Sequence, residues 1–400
     1  MSGPWLHLIG LGEDGLDGLA PAARQALEEA EVIVGGARHH ALTDTLTAER
    51  ISWPSPFDAL IDTLQGLRGR RAVVLATGDP LWFSVGERLV DALGAGALTI
   101  HPQLSAFQFA AARMGWPMTG VETLTVHGRP VETLLPALVP GARLLVLTSG
   151  ADTPRDVAAL LTRAGFGPSE MTVLAALDGP SEARIAGLAE TWSEAAPALH
   201  TLAITLHAAE GADILPAAFG LPDAAFEGDG TMTKREVRAI TLGKLAPRPG
   251  ACLWDVGAGC GSVAIEWMRA ARQARAVAIE PRADRRAYMA ANAAALGVPG
   301  LEIIEGSAPE ALVGLPSPDA VFLGGGLSEE TFHRSIEALR PHGRFVANAV
   351  TIESEALLVA LHAAHGGELV KIAIQRAEPV GRLTGWKPAM PVTQLSLVKR

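Results

Sequence analysis

The sequence predicts an α/β protein in two parts, and three observations carry that expectation. Residues 252–268, CLWDVGAGCGSVAIEWM, read as a buried strand, a glycine turn and an apolar helix. Short apolar runs that end in glycine-bearing corners recur through the first half, as at Ala72–Ala76 before Thr77-Gly78-Asp79-Pro80. The chain has 400 residues, which is more than one ordinary domain holds. Hydrophobic residues make up 48% and charged residues 19%, a composition with ample core material. No apolar run approaches the length of a membrane span. The N-terminus lacks a basic segment followed by an apolar stretch, so cytoplasmic residence is the expectation. The net charge of −10 and 5% aromatics argue against a general nucleic-acid binder and leave room for a local basic pocket that takes an acidic substrate. The two cysteines, Cys252 and Cys260, flank the glycine loop and have no companions for a metal site.

Taken in order, the chain opens with a strand at Trp5–Ile9 and a glycine loop at residues 10–15. That loop is either a nucleotide corner or a plain turn. A helix follows, with Pro21 in its first turn, then a short strand at Glu31–Val34. The strand 72–76 ends in Gly78-Asp79-Pro80, where Pro80 stiffens the corner and Asp79 is either a ligand contact or a turn residue. Ligands in open α/β sheets gather at such carboxyl ends. Further corners are Ser105-Ala106 before an alanine-rich helix, His127-Gly128-Arg129, and Thr148-Ser149-Gly150. Runs at 171–177, 183–187 and 199–206 read as strands of a second lobe.

This ordered set (a glycine loop after the first strand, G-D-P, S-A-x-x-x-A-A-A-R, H-G-R, L-T-S-G) resembles the tetrapyrrole methylases, the class III methyltransferases that use S-adenosylmethionine (SAM). The resemblance covers residues 1 to about 206 and implies two α/β lobes with SAM between them. It implies SAM contacts around Gly10, Leu11, Gly12, Gly78, Asp79, Trp82, Ser105 and Ala106. Two departures stand out: Gly12-Glu13-Asp14-Gly15 replaces the usual G-x-G-P-G, and Gln103 replaces a common glycine after Pro102.

Residues 207–230 lose periodicity and gain glycine and proline, so the expected division is a first domain at 1–206, a linker at 207–230 and a second domain at 231–400. Thr233 and Glu236 before Val237 read as a capping box, and Thr233 is also a candidate cofactor contact. In the glycine loop, Asp255 precedes Gly257, Gly259 and Gly261, and Glu280 closes the next apolar run, AVAIE. A carboxylate there suits a ribose diol, in SAM sites and dinucleotide sites alike. A helix ended by Gly297 follows, then strands at 301–305, 318–323 and 343–350. Runs at 368–375 and 392–398 complete an expected seven-stranded sheet. Three glycines, 324–326, follow the fourth strand, where amine methyltransferases carry a different set, so a carbon acceptor lying against backbone is expected.

The glycine loop with A-I-E resembles class I SAM-dependent methyltransferases. Together with M-T-K-R-E-V-R, E-G-S-A-P-E-A and the glycine run, it is similar to the decarboxylating precorrin methyltransferases. The two halves in this order resemble the bifunctional, decarboxylating precorrin methyltransferases of cobalamin biosynthesis. The resemblance implies an N-terminal two-lobed class III fold joined to a C-terminal Rossmann-like class I methyltransferase. It implies SAM as cofactor, one site per domain, and precorrin-6B as small-molecule substrate. In that family the first half methylates carbon 5. The second methylates carbon 15 and removes carbon dioxide from the carbon-12 acetate, giving precorrin-8. It further implies a homo-oligomer. The implied SAM contacts in the second half are Thr233, Asp255, Gly257, Ala258, Gly259, Cys260, Gly261, Glu280 and Ala308. A polycarboxylate substrate calls for arginine anchors, for which Arg129, Arg238 and Arg382 are the leading candidates, with Arg235, Arg376 and Lys387 behind them.

Overall fold

Apolar runs bounded by glycine corners become strands throughout the computed structural model, which describes residues 3–216 and 218–400. Met1 and Ser2 of the expected first domain and Ala217 of the expected linker lie outside the described residues. The chain divides into one unit of Met1–Val131 with Val139–Ala212 and another of Glu132–Leu138 with Asp213–Arg400.

The first unit holds two sheets. Strands β1 (Leu6–Leu11), β2 (Val32–Gly35), β3 (Glu49–Ser52), β4 (Ala72–Thr77) and β5 (Leu98–His101) form one, in the order β3-β2-β4-β1-β5. All its pairs are parallel. A parallel sheet buries both faces, and residue alternation supplies both. Leu6, Leu8, Val32 and Val74 enter one core, while Ile9, Ile33, Val73 and Leu75 enter the other, with Ala23 and Leu27 of helix Pro21–Glu28. The second sheet comprises β6 (Glu122–Thr125), β7 (Arg143–Leu147), β8 (Glu170–Ala175), β9 (Ala183–Leu188) and β10 (His200–Thr205), in the order β6-β7-β10-β8-β9. Only β6 and β7 run parallel. The edge strand β3 has no counterpart in the sequence reading, because ERIS is short and carries polar residues at both ends.

The second unit is a single seven-stranded sheet with a hairpin. Its strands are β11 (Cys252–Val256), β12 (Arg275–Glu280), β13 (Glu302–Glu305), β14 (Ala320–Leu323), β15 (Arg344–Ala349), β16 (Glu368–Ile372), β17 (Gln375–Val380), β18 (Leu383–Pro388) and β19 (Val392–Val398). The sheet order is β13-β12-β11-β14-β15-β19-β16, with β19 antiparallel to both neighbours. The order reverses at β11 and β14, which is where open α/β sheets place their ligands. The run expected at 368–375 stops at Ile372, and Gln375 instead opens a two-stranded hairpin, β17 with β18.

Residues 207–230 are held at both ends. The Ala209 N–H donates to Gly165 O (2.8 Å) in the first unit. In the second, Leu221 and Phe226 are buried in the core, and Glu266 accepts the N–H groups of Gly220 (2.6 Å) and Leu221 (3.0 Å). The capping box is a misreading. The helix runs Arg235–Leu245 with Lys234 in the cap position and no side-chain cap bond. Glu236 pairs with Arg376 instead, and the Thr233 carbonyl accepts from Arg238 Nη1 (2.6 Å).

Candidate cofactor and substrate cavities

The second unit carries a cavity of about 680 Å³ at the carboxyl ends of its parallel strands. It is built from the glycine loop. Strand β11 runs straight into Gly257 (φ +69°), followed by Gly259 (φ +59°) and Gly261 (φ +82°), all left-handed. Gly257 is required twice over, because a Cβ there would also stand 2.6 Å from Gly325 Cα. The loop is tied to the end of β12: Gly257 and Ala258 donate N–H bonds to Ile279 O (2.9 and 3.1 Å). Glu280 Oε2 accepts the Gly259 N–H (2.9 Å) and Oε1 the Arg282 N–H (3.1 Å). A carboxylate has lone pairs beyond these two.

Asp255 is 1% exposed. Its Oδ2 accepts the Ala264 N–H (2.9 Å), in the first turn of helix Ser262–Ala270 where a negative charge is favoured. Its Oδ1 is buried without a partner. Burial above all pushes its carboxyl up to about 7, with the Glu280 charge adding to the rise and the Ala264 bond opposing it. An unpaired carboxylate oxygen, a glycine-rich loop that presents its backbone and a strand-end acid form a donor and acceptor set that fits SAM. Asp255 would meet its amino group, Glu280 its ribose, and Ser307 and Ala308 its base.

Thr233, Asp255, Gly257, Ala258, Gly259, Glu280 and Ala308 all line this cavity. Cys260 and Gly261 do not. The Cys260 side chain is 4% exposed and turns into the core, and its carbonyl accepts from Asn292 Nδ2 (3.1 Å). A Cβ on Gly261 would strike Met289 at 2.5 Å, so this glycine serves helix packing. The glycine run after β14 also has a double use. Gly324 and Gly325 pack close to Gly257, and only Gly326 opens onto free space. Beyond the loop the wall becomes apolar, with Val350, Ile374, Met390 and Val392. Asn348 stands among them, its Nδ2 donating to Thr241 Oγ1 (3.0 Å) and its Oδ1 accepting from Gln394 Nε2 (2.8 Å).

Arg238 is no substrate anchor. Its side chain is fully buried, with Nε on Glu266 (2.7 Å), Nη1 on Asp223 (3.1 Å) and Nη2 on Leu221 O (2.6 Å), under the Phe226 ring. Arg382 sits exposed at the hairpin turn, Lys387 pairs with Glu378 (2.9 Å) across the hairpin, and Arg235 is exposed at the helix start; none of the three lines the cavity. Arg376 does line it, paired with Glu236.

The first unit carries a second cavity of about 600 Å³, walled by both of its sheets. Leu11, Gly12, Gly78, Asp79, Trp82, Ser105 and Ala106 line it. Ser105 caps helix Ala106–Met114 in a reciprocal pair with Gln108. Asp79 Oδ1 accepts the Leu81 N–H (2.8 Å), so this carboxylate also shapes its own turn. Gly10 lies inside β1 and off the cavity; a Cβ there would be 2.2 Å from Gly78 O, so its role is close strand packing. Arg129 is exposed and closes a turn onto Val126 O (3.1 Å), and His127 takes the place at the wall.

The two sequence departures have visible work. Gln103 Nε2 donates to Gly18 O (2.8 Å) and so braces the first loop. Glu13 accepts from Arg38 Nε (2.6 Å). Arg38 in turn donates to Thr77 Oγ1 (3.2 Å), which also meets His39 Nε2 (3.0 Å). His39 Nδ1 accepts the Gly36 N–H (3.1 Å), which leaves the ring proton on Nε2. Burial first, then the Arg38 charge, lowers this imidazole to about 4. Arg38, His39 and Trp53 all line the cavity. Sequence reasoning passed over them because they follow β2 and β3, where no motif marks the corners.

The comparisons with known proteins agree with both halves. A family described as "Tetrapyrrole (Corrin/Porphyrin) Methylases" matches residues 5–245, and one described as "Precorrin methyltransferase domain" matches residues 224–399. A precorrin-6Y C(5,15)-methyltransferase [decarboxylating] of Sinorhizobium sp is 48% identical over 99% of this chain and 97% of its own length. The Mycobacterium tuberculosis (strain ATCC 25618 / H37Rv) protein of the same name is 39% identical over 98% of this chain and 99% of its own. The solved C-terminal domain of the Rhodobacter capsulatus precorrin-6Y C5,15-methyltransferase is 49% identical, covers 46% of this chain and 98% of its own, and has a TM-score of 0.44. With near-complete coverage at close to half identity, the chain belongs to the decarboxylating precorrin-6Y C(5,15)-methyltransferase family.

Proposed function

We propose that the chain is a bifunctional SAM-dependent C-methyltransferase of corrin synthesis with one SAM site in each unit. It methylates precorrin-6B at carbon 5 through the first unit. Through the second it methylates carbon 15 and releases carbon dioxide from the carbon-12 acetate, giving precorrin-8. The observation that carries this reading is the pair of cavities, one per unit, each at the carboxyl ends of parallel strands and each edged by a glycine corner beside an acid. Bound SAM supplies an electrophilic methyl group on a sulfonium centre.

The protein's part is alignment and exclusion of water. In the second unit, Asp255 and Glu280 hold the cofactor end and the loop 257–259 approaches it by backbone. The apolar wall of Val350, Ile374, Met390 and Val392 keeps water from the acceptor carbon. Asn348, fixed by Thr241 and Gln394, lines the cavity and has a second Nδ2 hydrogen to offer a substrate oxygen. Decarboxylation breaks the bond between the acetate methylene and its carboxyl; the electron pair passes into the macrocycle and a proton then takes the carboxyl's place. An apolar setting favours that step, because the charge localised on the carboxylate spreads over the macrocycle as the bond breaks, and localised charge is the costlier one out of water.

The direct test is a mass spectrum of precorrin-6B after incubation with the full-length protein and SAM. Two methyl gains with one carboxyl loss are expected. No change in a sample that binds SAM would overturn the substrate.

A further inference from the structure

The first cavity is divided along the edge of its sheet. The residues expected at SAM follow β1, β4 and β5, which are adjacent in the order β3-β2-β4-β1-β5. The remaining corners of that sheet, after β2 and β3, contribute Arg38, Trp53 and Phe57 to the same cavity. Helix Val85–Leu93 adds Arg88, whose guanidinium lies over the Phe57 ring at 5.2 Å. Trp53 and Phe57 meet edge to face at 5.6 Å. One end of the cavity is therefore a set of backbone corners, and the other joins flat apolar surface to positive charge.

We propose that Arg38 and Arg88 recognise substrate carboxylates at this second end, with Trp53 and Phe57 taking the face of the macrocycle. The inference rests on the N-terminal methylation proposed above and names the residues that select its substrate. Among the described residues that line the cavity, Arg38 and Arg88 are the only lysines or arginines. A flat, polycarboxylate ring needs both features together, an aromatic wall and a guanidinium beside it.

Both arginines can take a substrate carboxylate. Arg88 is bound to Asp58 (2.5 Å), whose side chain is 85% exposed, and an ion pair that open to water is weak. Arg38 is held more firmly. Glu13 takes its Nε and one Nη2 hydrogen, and Thr77 takes one on Nη1. A guanidinium has five N–H groups, so one donor remains on each terminal nitrogen for a substrate carboxylate. The Glu13 and Thr77 contacts then act as a frame that sets the direction of the fork. Glu13 stands in the first loop where the chain departs from the wider pattern, which ties that departure to substrate choice.

The rival anion for these arginines is the carboxylate of SAM itself, so both ligands must be read. The full-length protein with Arg88→Met, Arg38→Met and the two lysine replacements is assayed for N-terminal methylation of precorrin-6B, with calorimetry of SAM. Each methionine variant is expected to raise KM for the tetrapyrrole about tenfold, with SAM affinity held within about twofold. Lysine should restore part of the loss. Uroporphyrin, a flat polycarboxylate, and its methyl ester serve as binding probes that need no turnover. The acid is expected to bind more weakly to the methionine variants, and the ester to bind all forms alike. Arg88 makes an exposed ion pair and a stacking contact with Phe57, so its variant remains informative even if Arg38→Met fails to fold. Unchanged tetrapyrrole KM in the Arg88 variant, or a loss that falls on SAM, would overturn the proposal. A wild-type protein that binds uroporphyrin through these arginines but never methylates precorrin would instead overturn the function proposed above.

Discussion

Asp255 and Glu280 are two buried acids at one cavity, and their surroundings make them different. Glu280 has a backbone N–H on each oxygen. Asp255 has one on Oδ2 and nothing on Oδ1, so the cost of burying its charge is met only in part. Its carboxyl is pushed up to about 7 in the folded chain against 3.8 when exposed. The sign follows directly. Below the lower value both folded and unfolded forms hold the proton, and the contribution to stability is complete. As pH rises from about 4 to about 7 the unfolded chain ionises first, so stability is lost across that window, by about 4 kcal/mol at most. Asp255→Asn is expected to flatten this loss. Urea unfolding of the second unit's transition at pH 5 and pH 8 measures it: wild type should lose more midpoint than the variant. Equal losses would mean that Asp255 is ionised throughout. The same exposed-to-buried contrast explains why Arg238 was misjudged from sequence. A polycarboxylate substrate made this arginine read as an anchor, whereas its four oxygen partners, two carboxylates and two carbonyls, belong to the fold itself.

At the scale of elements, the glycine loop and the glycine run after β14 form one device, because each permits the other's approach. The two positions of closest contact are not equivalent. A Cβ on Gly257 would meet backbone at 2.6 Å and sit at φ +69°, whereas on Gly325 the nearest atom is at 3.5 Å with no left-handed strain. The left-handed conformation alone costs an alanine roughly 1–2 kcal/mol. Gly257→Ala should thus weaken SAM binding to the second unit at least tenfold or unfold that unit, while Gly325→Ala stays near wild type. Calorimetry and a thermal melt of both variants decide it, and equal behaviour would break the pairing argued here. The sheet itself was readable because parallel strands buried on both faces produce near-continuous apolar runs, as in CLWDV and AVAIE, each carrying a single acid. The hairpin β17–β18 was not, since QRAEPV and LTGWKP are exposed, mixed stretches that pair only with each other. Thr233 shows the limit of motif spacing. T-x-x-E is present, yet the helix begins one residue too late for threonine to cap it, and the glutamate is claimed by Arg376 from the far end of the chain.

For the molecule as a whole, the two units each hold their own cores, strand-end corners and cavity. Every residue lining one cavity belongs to a single unit, which makes the two proposed cofactor sites separable by substitution. Glu280 is the residue to use, because it fastens the Gly259 amide, faces the cavity and lies wholly within the second unit. Glu280→Gln keeps the shape and can keep one amide contact, but it removes the charge and puts an N–H where an acceptor stood. A charge-assisted hydrogen bond lost at a buried site is worth about 1.5–3 kcal/mol, so affinity at that site should fall by roughly ten- to a hundredfold. Calorimetric titration of the full chain with SAM is expected to show one site per unit in wild type. In Glu280→Gln only the site of the first unit should keep its affinity. Gly78→Ala, which forces a side chain onto φ +61° within 3.3 Å of Ser105 Cα, should give the reverse pattern. If either substitution lowered both affinities together, the sites would not be independent. If Glu280→Gln left the titration unchanged, the acid would be a brace for the loop and not a cofactor contact.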